Sequence, residues 1–338
     1  REVQATRENG SSREGGRNAR RIKYGAVPIR RQVPIYFWSN NFHFRGRVNM
    51  VIVVGSSGFV GTNLCDQMLR EEMPVLGCDI VQNNNSKVPF KKFDQTKKSL
   101  KSLGLSFKTL VLLSGVSSHP TVIERRAEAI QSNLTSINEI VKDFIEIGGK
   151  HIIFASSEWV YSRLQSGLFT ADPRCNPSPY GRQKLYGEIL IQELCEAAEI
   201  DFTNLRLGII WGNRGSGSAV ESITSSIISS RTAVEVSHIK TGRRFVHIKD
   251  VCLAIIGAIK NRSVGTFDVQ GKEVITMDRI IRSVSAAIGI KDISVNELNT
   301  DPDIRYLSDN EIKDLPFEWR FGDFSTDIRI LIEKVHNL

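Results

Sequence analysis

Tyr180 and Lys184 are the two residues whose types and spacing point most directly to chemistry. They lie four positions apart in a segment with helical periodicity, so their side chains project from one face of one helix. A free tyrosine titrates near 10, and using it as a base at neutral pH requires about 4 kcal/mol of preferential phenolate stabilisation. A cation one turn away supplies part of that. Alone the pair is weak evidence, because a half-buried tyrosine and a solvated lysine are the commoner explanation.

Two serines at the end of an apolar run strengthen this interpretation. Ser156 and Ser157 follow the strand-like residues 151–155, and doubly wound sheets assemble their sites at that edge of the strands. There the Ser157 hydroxyl can hydrogen-bond a substrate oxygen while Tyr180 removes or returns its proton. The sequence therefore predicts proton transfer at a substrate hydroxyl.

A glycine-rich turn follows the first strand-like run, residues 50–54, and opens a helical segment. Gly55 permits a tight reversal, Gly58 lets a pyrophosphate approach the backbone, and Gly61 allows the helix to pack closely on the strand. Free amides at a helix N-terminus favour the negative pyrophosphate. No Lys-Ser/Thr pair follows, which disfavours a nucleoside-triphosphate loop.

Asp79 ends the second strand-like run, 18 positions after Gly61. The acid that binds a ribose 2′-hydroxyl in such folds is expected about 20 residues further on. A carboxylate there repels a 2′-phosphate. The sequence therefore predicts NAD rather than NADP as the cofactor.

Short apolar runs alternate with longer helical patterns throughout the part of the chain that positions these residues. The strand-like runs are residues 50–54, 75–79, 109–113, 151–155 and 202–207, with helical patterns at residues 59–72, 121–147 and 179–198. This alternation predicts an α/β fold with a doubly wound parallel sheet and right-handed crossovers. Further strands are expected at residues 245–248 and 266–269, and further helices at residues 220–230, 277–288 and 325–335.

These elements suggest two parts. We expect an NAD-binding Rossmann domain at residues 50–206, with residues 243–271 returning to it, and a smaller α/β substrate-binding lobe at residues 207–242 and 272–338. Residues 1–49 lack periodicity and are expected to be a disordered tail or a non-native upstream segment. A transit peptide and a nucleic-acid-binding arm are less favoured interpretations of residues 1–49.

Composition excludes several classes of function. The first 49 residues carry 11 basic and 3 acidic residues, whereas the other 289 carry 34 of each, so the net charge of +8 lies in the tail. A body without net charge disfavours nucleic acid as a partner. No apolar run approaches the roughly 20 residues that span a bilayer, so no membrane association is expected. Five scattered cysteines indicate a reducing, cytoplasmic setting, and the dispersed histidines predict no metal site.

Several segments occur in the order found in the extended short-chain dehydrogenase/reductases, the NAD-dependent epimerase/dehydratase family. They are the turn at residues 55–61, Asp79, and residues 113–115, 154–161, 179–184 and 243–251. The chain resembles this family from Met50 almost to Leu338. The resemblance implies a Rossmann domain holding NAD, a C-terminal lobe for a nucleotide-sugar, and a homodimer formed through the helices at residues 121–147 and 179–198.

The resemblance also implies roles for individual residues. Ser157, Tyr180 and Lys184 match the catalytic triad, and Ser156, Glu158, Arg243 and Arg305 are expected on the substrate side, the two arginines at phosphates. Asp94 and Gln95 match the position that touches adenine. The implied cofactor contacts are Gly55, Ser57, Gly58, Phe59, Val60, Gly61, Asp79, Ile80, Asp94, Gln95, Leu113, Ser114, Gly115, Tyr180 and Lys184.

The family chemistry leaves alternatives open. Its members transfer a hydride to the nicotinamide as the tyrosine accepts a hydroxyl proton, and an epimerase then returns the hydride to the other face of the keto-sugar. A 4,6-dehydratase needs an Asp-Glu pair where this chain has Glu158 and Trp159, which disfavours complete dehydratase chemistry. Ile209 replaces the usual substrate-side asparagine. A nucleotide-sugar epimerase is favoured, with a reductase of a keto-sugar or other small carbonyl compound, a dehydratase and a non-catalytic dinucleotide-binding protein as alternatives.

Overall fold

The strands of the described residues begin just before the glycine-rich turn and continue into the C-terminal region. In this computed structural model they are β1 (Val51–Val54), β2 (Val75–Asp79), β3 (Phe90–Lys92), β4 (Thr109–Leu112), β5 (His151–Ser157), β6 (Ser162–Arg163), β7 (Phe169–Thr170), β8 (Asp201–Leu207), β9 (Ile209–Trp211), β10 (Ala233–Val236), β11 (Gly242–Arg243), β12 (Phe245–His247), β13 (Gly265–Val269), β14 (Ile275–Thr276) and β15 (Ser294–Glu297). The structure describes residues 50–83, 87–117, 119–163, 169–176, 178–212, 217–303, 307, 312–320 and 323–336. The predicted tail and Arg305 lie outside them.

The helices alternate with these strands. They are α1 (Phe59–Arg70), α2 (His119–Glu124), α3 (Arg126–Ile130), α4 (Ser136–Glu146), α5 (Pro179–Ala197), α6 (Ala219–Ser230), α7 (Ile248–Asn261), α8 (Met277–Ile288) and α9 (Phe324–His336). Among the helices described, none is long and apolar enough to cross a membrane.

Seven strands form one parallel sheet in the order β13-β8-β5-β4-β1-β2-β3. From β1 the chain fills one side of the sheet with β2 and β3, then crosses to the other side for β4, β5, β8 and β13. The strand order therefore reverses between β1 and β4, and ligands of open α/β sheets bind at the carboxyl ends beside such a reversal. The doubly wound parallel sheet expected from the alternation of elements is present.

Both faces of the sheet are covered by helices, which explains the uninterrupted apolar strands. In β1, Val51 and Val53 join a core layer with α1 and α7, whereas Ile52 and Val54 join a second layer with α4 and α5. Successive strand residues point to opposite faces, so a strand buried on both sides has no polar positions. This packing fixes the edge at which β1, β4 and β5 end.

The single helix predicted at residues 121–147 is wrong, because the segment is divided. Arg125 leaves the helical conformation between α2 and α3, with φ −115° and ψ 49°, and Gln131–Thr135 forms a π-helical turn before α4. The apolar spacing of three and four continues across both interruptions. Periodicity alone therefore does not reveal them.

The C-terminal region builds a separate core around Trp211, Phe245 and Ile280, with contributions from α6, α8 and α9. Of the two return strands predicted, β13 joins the central sheet beside β8. The other, β12, pairs with β9 outside the central sheet. Residues just after β8 therefore run along the border between the sheet and this second core.

Candidate active site

The turn after β1 depends on its glycines in different ways. Gly55 has φ +93°, a left-handed conformation that favours glycine. A Cβ on Gly61 would lie 2.1 Å from the Gly55 carbonyl oxygen, so only glycine allows α1 to pack this closely on the turn. For a Cβ on Gly58, the nearest atom outside the adjoining residues would be the Gly55 carbonyl oxygen at 3.5 Å, which is an ordinary contact. The protein's own packing therefore does not require a glycine at position 58.

The N-terminus of α1 has unused hydrogen-bonding capacity. Gly58 is its N-cap residue, and within the described part of the chain no side chain caps it. The first hydrogen bond of the helix runs from the Thr62 amide to the Gly58 carbonyl at 2.9 Å. The amides of the first turn come before Thr62 and therefore have no acceptor within the helix. A bare helix N-terminus beside a glycine that leaves open space suits a pyrophosphate. These residues therefore fit a dinucleotide.

Asp79 is held in a fixed orientation at the end of β2. Its carboxylate accepts the Ser57 amide at 2.9 Å and the Ile80 amide at 2.7 Å. Each carboxylate oxygen accepts more than one hydrogen bond, so capacity remains for a ribose hydroxyl. Ser57 itself is turned away, since its hydroxyl donates to the Val81 carbonyl at 2.5 Å.

An open cleft of about 1060 Å³ runs from this turn to the end of β5. It contains the three turn glycines, Asp79 and Ile80 at one end and Ser157, Tyr180 and Lys184 at the other. Every predicted cofactor contact lines it except Ser57. The structure thus brings together in one cleft residues that are more than 100 positions apart in the chain.

Gln95 and Ser114 brace the middle of the cleft. Ser114 Oγ donates to Gln95 Oε1, and Gln95 Nε2 donates to the Ser132 carbonyl at 3.0 Å. Asp94, beside them, accepts the Thr96 hydroxyl at 2.6 Å and pairs with Lys97 at 3.2 Å. The Gln95 amide is thereby committed to holding the cleft wall together.

Tyr180 lies in the first turn of α5 and is 8% exposed. The helix begins there because Ser178 Oγ accepts the Gly181 amide at 3.1 Å and Pro179 occupies the first helical position. Burial raises the pKa of Tyr180 to about 12, and the nearby Ser157 side chain acts in the opposite direction. The phenol is therefore protonated at neutral pH, and in the protein alone its pKa moves opposite to the shift that a base requires.

Lys184 lies one turn further along α5, with its Nζ 5.9 Å from the centre of the Tyr180 ring. Nζ donates to the Ala155 carbonyl at 2.7 Å and lies 4.7 Å from the centre of the Phe154 ring. Burial lowers the pKa of Lys184 to about 8, and the charge of Glu188 acts in the opposite direction. The site thus holds a buried ammonium beside a buried phenol, with the Ser157 hydroxyl in the same cleft.

The predicted substrate-side residues are placed differently from one another. Glu158 is half-buried, lines the cleft and begins a 3₁₀ turn, Glu158–Val160, in which the Trp159 amide donates to Ser157 Oγ at 3.3 Å. Ser156 also lines the cleft, but its hydroxyl donates to the buried Glu188 carboxylate. The Ser156 hydroxyl is therefore already committed within the protein.

Arg243 does not line the cleft. Its guanidinium pairs with the Asp303 carboxylate and donates to the Asp303 carbonyl at 2.7 Å and to the Gly242 carbonyl at 2.8 Å. Contact with a diphosphate would require this arginine to exchange partners. Arg305, the other predicted phosphate contact, is outside the described residues.

Asn133 holds part of the cleft wall in place, a role that the sequence patterns did not reveal. Its side chain accepts the Val116 amide at 2.8 Å and donates to the Val116 carbonyl at 3.0 Å and to Gln183 Oε1 at 2.8 Å. It sits in the π-helical turn and joins the loop after β4 to α5. The available signal was a polar residue on an apolar helical stripe, four positions from both Ala129 and Ile137.

Comparison with known proteins places the chain in a family. The model of the NAD-dependent epimerase/dehydratase family matches residues 51–269. The chain belongs to this family. It is therefore an enzyme of the NAD-dependent epimerase/dehydratase type, and the predictions of Rossmann-type fold, family and NAD as cofactor are confirmed.

Individual relatives of this family member are distant. A dTDP-4-dehydro-6-deoxy-D-allose reductase from Streptomyces sp is 22% identical, over 71% of this chain and 81% of that protein. A UDP-glucose 4-epimerase from Lactobacillus helveticus is 24% identical, over 51% of this chain and 54% of the epimerase. The structure of a UDP-glucuronic acid 4-epimerase from Bacillus cereus, in complex with UDP-glucuronic acid and NAD, superposes with a TM-score of 0.70 at 18% identity. That match covers 85% of this chain and 99% of the other.

Proposed function

We propose that this enzyme is a nucleotide-sugar epimerase that removes a hydrogen from a sugar carbon and returns it to the opposite face. The observation that carries the proposal is the buried Tyr180 phenol, which lies in one cleft with Ser157 and beside the Lys184 ammonium, at the other end of that cleft from a phosphate-binding turn. An epimerase needs one group that exchanges a proton with a sugar hydroxyl in both directions. Tyr180 is suited to that role.

The chain's own residues divide the work. The α1 N-terminus, Asp79 and Lys184 would hold NAD, which when bound would supply a reversible acceptor for a hydride from the sugar carbon. Tyr180 accepts the hydroxyl proton from the same carbon and later returns it, while Ser157 hydrogen-bonds the substrate oxygen. The Lys184 ammonium stabilises the phenolate as it forms. Because the phenol has a pKa of about 12 in the protein alone, its phenolate needs stabilisation beyond that from Lys184, and the positive charge of oxidised NAD would add to it when bound.

A reductase is the second candidate. Ile209 lines the cleft where the resemblance places a substrate-side asparagine, and an apolar side chain there suits a less hydroxylated substrate. The similarity to a dTDP-sugar reductase points the same way. A 4,6-dehydratase is less favoured because Trp159 follows Glu158 in place of the second carboxylate.

A substrate panel separates these candidates. UDP-, GDP-, dTDP- and CDP-sugars are incubated with the purified chain and NAD, and products are resolved by mass and stereochemistry. An epimerase gives products of unchanged mass with no net NADH, whereas a reductase, working in reverse with NAD, forms NADH in proportion to a keto-sugar product that is lighter by two hydrogens. A product lighter by one water would favour the dehydratase, and no conversion of any sugar would contradict the proposal.

Cofactor choice gives an independent prediction at Asp79. We expect the wild type to bind NAD more tightly than NADP, because the Asp79 carboxylate repels a 2′-phosphate. Asp79→Asn should bind NAD at least about tenfold more weakly, which is equivalent to 1.4 kcal/mol. The preference of this variant for NAD over NADP should also be smaller than that of the wild type. Titration calorimetry with both cofactors measures this. Glu139→Gln, which changes an exposed carboxylate of α4 that pairs with Lys142 and does not line the cleft, is the control. Equal wild-type affinities for NAD and NADP would contradict the role of Asp79.

The proposed assembly is a homodimer. Its support is a set of large apolar side chains exposed on α2, α3 and α5, the region that the resemblance implies for subunit contact: Ile123, Ile130, Tyr186 and Ile189. Helix α2 packs against both α3 and α5, and exposed apolar side chains gathered on neighbouring helices are typical of interaction sites.

A further inference from the structure

A buried ionic network lies directly behind the active-site lysine. Glu188 is on α5, one turn after Lys184, and is 5% exposed. Its carboxylate accepts Arg206 Nη2 at 2.7 Å and Nε at 3.1 Å, and it also accepts the Ser156 hydroxyl. Glu188 is thereby tied both to β8 and to the end of β5 that carries Ser157.

The network continues away from the cleft. Arg206 Nη1 donates to the Tyr161 hydroxyl at 2.9 Å, and that hydroxyl donates to Asp268 Oδ1 at 2.9 Å. The second Asp268 oxygen accepts the Lys313 amide at 2.9 Å. Each link is a charged or polar group removed from water, and the ion pair is held by at least two hydrogen bonds.

Stability alone does not explain this arrangement. A buried ion pair costs desolvation that its attraction barely offsets, and well-packed apolar residues are often neutral or stabilising replacements. A charged pair one helical turn from a functional lysine therefore suggests a role in the site. Three α5 residues spaced by four, Tyr180, Lys184 and Glu188, align along the face that packs on β5.

The lysine needs such a partner. The Lys184 ammonium is surrounded by the Phe154 ring, the Ala155 carbonyl and the Tyr180 ring, and burial disfavours its charged form. Glu188 supplies the negative charge that opposes this effect. The titratable and charged groups on this side are Tyr180 and Glu188 from α5, Arg206 from β8, Tyr161 after β5, and Asp268 from β13.

We propose that Glu188 is a positioning residue of the site: clamped by Arg206 and Ser156, its carboxylate keeps the Lys184 ammonium charged and seated against the end of β5. The inference rests on the proposed function in that Lys184 acts there as a cation. Arg206 holds the carboxylate, and Glu188 acts on the lysine.

Competitive labelling of lysines tests the proposal without turnover. The NAD-free full-length protein is labelled with acetic anhydride across pH 6–11, and peptide mass spectrometry gives the midpoint for each lysine. Glu188→Gln keeps the shape and a hydrogen-bond acceptor but removes the charge, so the Lys184 midpoint should fall by about one pH unit or more. Arg206→Met breaks the same ion pair but keeps the Glu188 charge, so the midpoint should not fall. Lys260, in a surface pair with Glu71, is the internal control.

A merely structural role predicts a different result. If both single variants lower the Lys184 midpoint equally, or neither changes it, the proposal is overturned. Because one buried charge left alone destabilises a protein, the double variant Glu188→Gln/Arg206→Met is measured as well. It should fold and show the lowered midpoint, and a double variant with the wild-type midpoint would also overturn the proposal.

The labelling outcome and the proposed function fail separately. A lowered Lys184 midpoint in Glu188→Gln, with no nucleotide-sugar converted by the wild type, would leave the role of Glu188 standing and refute the epimerase. Conversely, a wild type that epimerises a sugar while the midpoint stays fixed would support the function and refute the positioning role.

Discussion

At the scale of single residues, the site depends on one phenol and its surroundings. Tyr180→Phe removes the hydroxyl that exchanges a proton with the substrate, so we expect activity to fall by about 10²- to 10⁴-fold. Folding stability should change by only about 1 kcal/mol, since a single hydroxyl next to the Ser157 side chain is removed. Steady-state kinetics, NAD titration and thermal unfolding measure the three quantities. Retention of most activity would refute the assigned base, whereas loss of NAD binding would indicate a disturbed cleft.

The buried charge of Lys184 makes a pH-dependent contribution to stability. Its pKa is about 8 in the folded protein and 10.5 in the unfolded chain, so between these values the unfolded state binds more protons. The contribution of Lys184 to the free energy of unfolding therefore rises with pH in that window. The rise is about 2 kcal/mol from pH 8 to pH 10.

Urea unfolding of the wild type and Lys184→Met at pH 8 and pH 10 measures this effect. The buried thiols of Cys65 and Cys78 have pKa values raised to about 12 and destabilise both proteins alike as pH rises above 9. They cancel in the difference between the two proteins. The difference in free energy of unfolding between the wild type and Lys184→Met should shift in favour of the wild type between pH 8 and pH 10. No such shift would show that burial does not lower the pKa of Lys184.

At the scale of secondary-structure elements, two glycines in the turn between β1 and α1 are expected to have different roles, one in packing and one in cofactor binding. Gly61→Ala places a Cβ 2.1 Å from the Gly55 carbonyl oxygen, so we expect a loss of more than about 3 kcal/mol in stability. Gly58→Ala meets only an ordinary contact of 3.5 Å, so its stability should stay within about 0.5 kcal/mol of the wild type. NAD affinity should nevertheless fall at least about tenfold in Gly58→Ala.

Denaturant unfolding and NAD titration distinguish the two glycine variants. The informative result is a Gly58→Ala protein with wild-type stability and weaker NAD binding. Unchanged stability would exclude a disturbed fold as the cause of the weaker binding. Unchanged NAD affinity in that variant would mean that the pyrophosphate does not approach the turn at Gly58.

At the scale of the whole molecule, the exposed apolar face of α2, α3 and α5 bears on assembly. Ile189 is 46% exposed on α5, and Ile189→Lys should convert the proposed dimer into a monomer because a charge would be buried in the interface. Ile330→Lys on α9, where the wild-type side chain is 40% exposed, is the matched control. Sedimentation velocity measures both, and a monomeric wild type, or dissociation by the control alone, would contradict the proposed interface.

The sequence determined the alternation of the main strands and helices of the central sheet, the glycine-rich turn and most of the predicted cofactor contacts, of which all but Ser57 line the cleft. It did so because strand alternation, glycine spacing and a tyrosine-lysine pair are local patterns, readable from neighbouring positions. Only the tertiary structure showed the interruptions at Arg125 and Asn133 and the pairing of β12 with β9. The same holds for long-range side-chain partners: Ser156 and Arg206 on Glu188, and Arg243 on Asp303. These partnerships depend on which polar groups meet across the fold, and residues as far apart as Tyr161 and Asp268, 107 positions, leave no periodic signal in the chain.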